Sequence, residues 1–167
     1  MATTLFSLRF PRFKPTPAIA IVASLIASHS ACAASPFDKF AGGWSGAGQI
    51  VGTNSHRESI RCRAQYTEEK EGSALNQSIV CASESFKLNI TSYSEVSGDS
   101  VQGYWKEASR DVSGHLAGRI SDGRFEGEFS ATTFSAGITL ASTGRTQSVI
   151  IQPHGGDISE VRIELRR

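Results

Sequence analysis

The 167-residue sequence lacks the residue patterns that mark the common catalytic and metal-binding sites. It contains no C-x-x-C or H-x-x-x-H pair, and its histidines lie too far apart in sequence to suggest a zinc site. The G-x-S-x-G motif of α/β-hydrolases is absent, and no glycine-rich loop precedes a helical pattern. We therefore predict no catalytic residues, no metal site and no cofactor, and we expect a protein that is not an enzyme.

A hydrophobic run long enough to span a membrane is also missing near the amino terminus. The apolar stretch Ala18–Ala27 has ten residues, whereas a membrane-spanning helix needs about 20. Three basic residues precede this stretch, and Ala31 and Ala33 stand where a signal peptidase requires small side chains. This layout predicts a secretory signal peptide over residues 1–33 and a single domain over residues 34–167.

The predicted export places the mature protein in the periplasm or outside the cell. A lipoprotein attached through Cys32 is an alternative that the sequence leaves open. Removal of the signal peptide takes away three of the 17 basic residues and none of the 16 acidic ones, which leaves a net charge of −2. No basic patch remains that would predict nucleic acid as a partner.

Cysteine is scarce, and the mature chain keeps only Cys62 and Cys81. An even number of cysteines in an exported protein favours a disulfide. When the flanking segments are paired as a hairpin, Cys62 faces Cys81 and Tyr66 faces Gln77. Directly opposed strand residues are close enough for a disulfide bond. The alternative is two separate buried thiols.

Helical periodicity is absent after the signal peptide, and alternation of apolar and polar residues takes its place. In "FKLNITS", for example, Phe86, Leu88 and Ile90 share one face. Only Pro36 and Pro153 remain in the mature chain, so proline interrupts few strands. We predict an all-β protein with about ten strands, which begin near residues 44, 57, 74, 85, 100, 112, 124, 134, 146 and 158. Short connections favour an antiparallel meander that closes into a barrel, with a two-sheet β-sandwich as the alternative.

The dipeptide Asp122-Gly123 is a strong hairpin signal. It predicts that Ile120 faces Phe125 and that Gly118 faces Gly127. Two facing glycines leave a hole in a barrel wall. This hole stays open unless another side chain fills it, and Trp105 or Phe134 is large enough to do so.

The segment "FAGGW" combines Phe40, Gly42 and Trp44 in an F-x-G-x-W pattern. This pattern resembles the first strand of calycin-type barrels, which include the lipocalins and the fatty-acid-binding proteins. The resemblance implies that Trp44 plugs one end of the barrel and that a basic residue of a late strand packs across it. Arg162 and Arg166 fall on the outward parity of their strand, and Arg167 has the other parity.

A barrel of this size can bind one small apolar ligand. The predicted lining residues are Trp44, Trp105, Phe125, Phe129 and Phe134. Because these aromatics occupy much of the interior, we expect partial filling and at most a small pocket. The predicted function is a non-enzymatic binding module for a small apolar ligand. The alternative is an envelope interaction protein or a protease-inhibitor-like barrel that acts through its loops or through "ASPFDKF" at its mature amino terminus.

Overall fold

Ten antiparallel strands form one closed barrel in the computed structural model, which describes residues 34–167. The strands are β1 (Gly42–Gly52), β2 (Arg57–Glu69), β3 (Ala74–Ala82), β4 (Lys87–Ser97), β5 (Ser100–Glu107), β6 (Val112–Ser121), β7 (Arg124–Ala131), β8 (Phe134–Ser142), β9 (Thr146–Pro153) and β10 (Ile158–Arg166). Each strand pairs with the next one in sequence, and β1 pairs with β10. Closure confirms the predicted barrel and rules out the two-sheet sandwich. Each predicted strand start lies within two residues of the observed one.

The alternation seen in the sequence becomes an inner and an outer barrel face. On β2, Cys62, Ala64 and Tyr66 are buried, while Arg61 and Arg63 between them are exposed. Successive side chains of a strand point to opposite faces of the sheet, so a period of two places one set in the core. The apolar set of every strand therefore faces a common interior.

Glycines in β1 allow this strand to approach β10 closely. A Cβ atom on Gly46 would lie 1.9 Å from the carbonyl oxygen of Glu164, and one on Gly48 would lie 1.9 Å from that of Arg162. Any side chain at these two positions would push the strands apart. The glycine-rich segment that follows Trp44 is thus explained by barrel closure.

Both predicted hairpins have the expected register. Cys62 faces Cys81 across β2 and β3, and a disulfide joins them with their Cα atoms 4.1 Å apart. Across β6 and β7, Gly118 faces Gly127. In each hairpin a short turn between alternating strands fixes the pairing, which is why the pairing could be read from the sequence.

The segment just before β1 closes one end of the barrel, which we call the floor. Phe37 and Phe40 of this segment are 3% and 2% exposed. The Ser142 hydroxyl donates a hydrogen bond to the Lys39 carbonyl oxygen at 2.5 Å, and the Lys39 ammonium pairs with Asp122. We call the opposite end, where β1 ends and β2 begins, the mouth.

Part of the sequence-based interpretation concerns residues outside the described range. The predicted signal peptide over residues 1–33 and the alternative lipid attachment at Cys32 both lie there, so both stay predictions. Over residues 34–167, no helix has the length and apolar character that crossing a membrane requires.

Candidate functional site

The barrel interior contains a cavity of about 430 Å³. At the floor it is lined by buried side chains such as Phe37, Leu75 and Val101. At the mouth its lining includes exposed residues, among them Thr133 and Phe134. The cavity is therefore closed at the floor and reaches solvent at the mouth. Its volume is larger than the small pocket expected from the sequence and falls in the range of about 300–1,000 Å³ typical of ligand sites.

The middle of the cavity has apolar walls contributed by most of the strands. Aliphatic side chains make up the greater part of this surface: Ile50, Ile60, Ile79, Ile90, Leu116, Ile138, Leu140, Val149 and Ile163. The Cys62–Cys81 disulfide also faces the cavity. Such walls favour an apolar ligand because its transfer from water removes apolar surface on both partners from solvent.

Three of the five predicted lining aromatics form one cluster. The Trp105 ring centre lies 5.8 Å from that of Phe129 and 6.2 Å from that of Phe134, in edge-to-face arrangements. The indole Nε1 of Trp105 donates to the His115 carbonyl oxygen at 3.1 Å, which fixes the ring. All three residues line the cavity, and Phe134 is 41% exposed at the mouth.

Phe125, the fourth predicted aromatic, also lines the cavity, but it has a packing role that the sequence did not predict. Its ring atoms lie 2.7 Å and 2.6 Å from the positions that Cβ atoms of Gly118 and Gly127 would take. Phe125 therefore fills the hole left by the glycine pair, whereas the sequence had suggested Trp105 and Phe134 as the residues large enough to do so. Phe125 is two residues from Gly127 on the same face, so its ring reaches the glycines directly.

Trp44, the fifth predicted aromatic, does not line the cavity. Its ring is 3% exposed and lies at the floor, where Nε1 donates to the Phe40 carbonyl oxygen at 2.7 Å. The Arg167 guanidinium stacks over this ring, as the resemblance to calycin barrels implies for a late basic residue. The position of Trp44 at the start of β1 places it at the end of the barrel, so it acts as a plug.

Phe37 and Phe40 line the cavity although the sequence did not suggest them as lining residues. Both belong to "ASPFDKF", the segment that the alternative function would present at the surface. Their burial means that this segment folds into the barrel and does not offer its aromatic side chains to a partner. In the sequence, the two phenylalanines three residues apart just before the first strand could have indicated that this segment packs into the barrel.

Uncharged polar side chains interrupt the apolar lining on β2, β3 and β4. The Tyr66 hydroxyl donates to Gln147 Oε1 at 3.2 Å, and the Ser92 hydroxyl donates to Gln77 Oε1. Burial raises the pKa of the Tyr66 phenol, so this group stays protonated. Ser94 follows Ser92 on the inward face of β4 and is 1% exposed. These groups could orient a ligand, and no pattern in the sequence marked them.

The charged residues that line the cavity lie at the mouth, where β5 ends. Glu107 is 4% exposed and accepts backbone N–H bonds from Asn89, Ser109 and Arg110 at 2.8–3.0 Å. Burial alone would raise the pKa of Glu107, but these hydrogen bonds outweigh it and bring the pKa to about 2. The Arg110 guanidinium contacts Glu107 at 3.4 Å and lies 5.8 Å from the centre of the Phe86 ring. The Glu107 carboxylate thus fixes the backbone of the turn after β5 and the position of the Arg110 side chain.

Within residues 34–167, one serine, one histidine and one glutamate outside the cavity lie close together, but not in the arrangement of a catalytic triad. Ser135 Oγ lies 3.1 Å from His154 Nδ1, and Glu128 Oε1 lies 4.0 Å from the same nitrogen. A catalytic triad instead uses the two imidazole nitrogens separately, one for the nucleophile and one for the carboxylate. Over the described part of the chain, no group of three or more His, Cys, Asp or Glu residues is placed to hold a metal ion.

Comparison with known proteins supports the fold. No family model matches the chain, and no curated protein matches its sequence. The crystal structure of Rv2717c from M. tuberculosis is similar with a TM-score of 0.63 and 12% identity, over 80% of this chain and 98% of that one. The S-type phycobiliprotein lyase CPES from Guillardia theta is similar with a TM-score of 0.54 and 12% identity, over 78% of this chain and 90% of that one. Both neighbours are lipocalin-like β-barrels, which agrees with the resemblance seen at Phe40, Gly42 and Trp44.

Proposed function

We propose that the protein is an exported binding module that holds one small apolar molecule inside its barrel and performs no catalysis. The observation that carries this proposal is the cavity of about 430 Å³, closed at the floor and accessible at the mouth. A space of this size with aliphatic and aromatic walls is costly to leave hydrated, and burial of a ligand methylene contributes about 0.8 kcal/mol. The ligand gains affinity from its chain length more than from polar contacts.

The disulfide supports the exported part of the proposal. Cys62–Cys81 joins two neighbouring strands and faces the barrel interior. Disulfides persist in oxidising compartments such as the periplasm, and they are rare in the cytosol. This observation agrees with the signal peptide predicted from the sequence, and together they favour a ligand that is encountered outside the cytoplasm.

A fluorescent probe tests the binding proposal. N-phenyl-1-naphthylamine is a neutral apolar dye that brightens when it leaves water, and Trp105 in the cavity wall can transfer excitation energy to it. We expect saturable binding of one dye molecule per chain. Non-saturable partitioning, or no brightening, would contradict the proposal.

Two matched tryptophan variants locate the dye. Ile138 lines the cavity, and the adjacent Thr139 points to the opposite face of β8. Ile138→Trp should occupy the cavity and abolish dye binding, whereas Thr139→Trp should retain it. Circular dichroism melting of both variants separates blocked binding from unfolding. Retained dye binding in a folded Ile138→Trp variant would show that the dye binds elsewhere.

A further inference from the structure

The outer surface of the barrel has a depression near the floor that shares no lining residue with the cavity. Its volume is about 430 Å³, and it lies over the first half of β1 and the strand segments beside it. Three arginines line it, namely Arg63, Arg166 and Arg167, and none of its lining residues in the described range is acidic. The depression is therefore strongly basic, although the predicted mature chain has a net charge of −2.

A glycine keeps this depression open. Gly43 faces Gln65 across β1 and β2, and a Cβ atom on Gly43 would lie 3.2 Å from Gln65 Oε1. The φ angle of Gly43 is not in the left-handed region, so other residues would fit the backbone there. The missing side chain thus matters for the space above the strand. Gly43, Ser45 and Arg63 are all exposed, so a solute can reach the depression.

Two of the three arginines lack a carboxylate partner. Within residues 34–167, Arg63 and Arg166 form no ion pair, whereas Arg162 on the same face of β10 pairs with Glu160 at 3.2 Å. Arg63 on β2 and Arg166 on β10 are both in register with Ser45 of β1, which lies between them. Neighbouring strands lie about 4.8 Å apart, so both guanidinium groups can reach one anion above Ser45. Their mutual repulsion falls when an anion binds between them.

The third arginine is held in place at the edge of the depression. The Arg167 guanidinium lies 4.9 Å from the centre of the Trp44 ring and donates a hydrogen bond to the Ala41 carbonyl oxygen. A side chain that is already ordered loses less conformational freedom when a ligand binds beside it. Arg167 therefore supplies a fixed positive charge next to Arg63 and Arg166.

We propose that this depression binds the phosphate group of a small soluble molecule and that Arg63 and Arg166 contact it. Guanidinium groups match phosphate oxygens in geometry and bind them through paired hydrogen bonds. A phosphate monoester carries between one and two negative charges and three acceptor oxygens, which suits a cluster of three cations. An anionic membrane surface fits less well, because Glu160 and Glu164 alternate with arginines along the outer face of β10.

Titration with inorganic pyrophosphate tests this inference. The proton–nitrogen correlation spectrum of the purified protein is followed at an ionic strength of about 0.15 M, which screens diffuse surface attraction. We expect saturable shifts centred on the amides of Gly43, Ser45 and Gln65. In Arg63→Gln and in Arg166→Gln, the affinity for pyrophosphate should fall by about tenfold, the factor that a charge-assisted hydrogen bond gives.

Two further variants serve as controls. Arg61 is exposed on the same face of β2, two residues from Arg63, and does not line the depression. Arg61→Gln makes the same change in net charge, so its affinity should stay within about twofold of the wild type in screening salt. Gly43→Leu should fill the depression and weaken binding with no change in charge. Thermal melting verifies that each variant is folded.

The outcomes separate a specific site from general attraction. Absence of saturable shifts in the wild type would overturn the inference. Equal losses in Arg61→Gln and Arg63→Gln would also overturn it, since they would show diffuse attraction to the basic surface. Binding to phosphatidylglycerol vesicles without binding of pyrophosphate would overturn it too, because the partner would then be a membrane. The proposed function of the cavity does not depend on these results, because dye binding is measured at a separate site.

Discussion

The guanidinium carbon of Arg167 lies 4.9 Å from the centre of the Trp44 ring. The same side chain donates a hydrogen bond to the Ala41 carbonyl oxygen, just before β1. The Trp44 indole donates in turn to the Phe40 carbonyl oxygen at 2.7 Å. These contacts join the end of the last strand to the start of the first one at the floor. They close this end of the barrel, so the proposed ligand would have to enter and leave at the mouth.

Truncation of the plug should destabilise the barrel. We expect Trp44→Ala to lower the free energy of unfolding by about 3–5 kcal/mol, from lost burial and from the cavity left behind. Trp44→Phe should cost less, because it keeps an aromatic ring in the same place. Tyr104→Ala serves as a control, since Tyr104 is 60% exposed on the outer surface. Urea denaturation measures all three, and an unchanged midpoint for Trp44→Ala would argue against the plug.

The Cys62–Cys81 disulfide should be a major contributor to stability. It closes a loop with a sequence separation of 19 residues, and on the chain-entropy model its reduction should cost about 2–4 kcal/mol. Denaturation with and without reductant gives this difference. Non-reducing peptide mapping should recover the two cysteines in one linked fragment, and free thiols at both positions would refute the assignment.

Glu107 should make the barrel sensitive to acid. Its folded-state pKa of about 2 lies below the ordinary value of 4.5, so its contribution to stability is complete above pH 4.5 and is lost as the pH falls towards 2. Glu107→Gln should be less stable at pH 7 and should lose part of the pH dependence in that window. Thermal melting from pH 7 to pH 2 measures both effects. Glu164→Gln, on the outer surface, should behave as the wild type does, and an identical profile for the two variants would contradict the assignment.

The predicted signal peptide gives a defined mature mass. Cleavage after Ala33 should leave a chain that begins at Ala34 and is recovered outside the cytoplasm. Intact-mass measurement of the exported protein tests both points. A mass that still includes residues 1–33, or a diacylglycerol adduct on Cys32, would overturn the predicted processing.

The backbone could be predicted from the sequence because its signals are local. Alternation assigned residues such as Cys62 and Tyr66 to the inner face, and the Asp122-Gly123 turn fixed a hairpin register. A one-residue slip would turn every inward side chain outward, so the apolar pattern admits one pairing. Closure of β10 onto β1 then follows from the length of the meander and its single apolar face.

The cavity could not be predicted because it depends on where each inward side chain comes to rest. Trp44 and Phe125 share the inward parity, yet one lies in the floor and the other covers two glycines of the wall. Both positions leave space in the centre that a count of aromatics does not reveal. Phe37 precedes the first strand, so alternation within strands gave no sign that it lines the cavity. Arg63 and Arg166 are far apart in the sequence, and the depression they share likewise becomes visible only once β2 and β10 are paired with β1.

Native mass spectrometry of protein purified from its own host tests the central claim most directly. The account predicts one non-covalent apolar molecule per chain in the wild-type protein and in Thr139→Trp, and none in Ile138→Trp. A molecule with an apolar chain is the expected identity after extraction. The bare chain mass in all three proteins, or an apolar adduct that persists when Ile138→Trp occupies the cavity, would contradict the account.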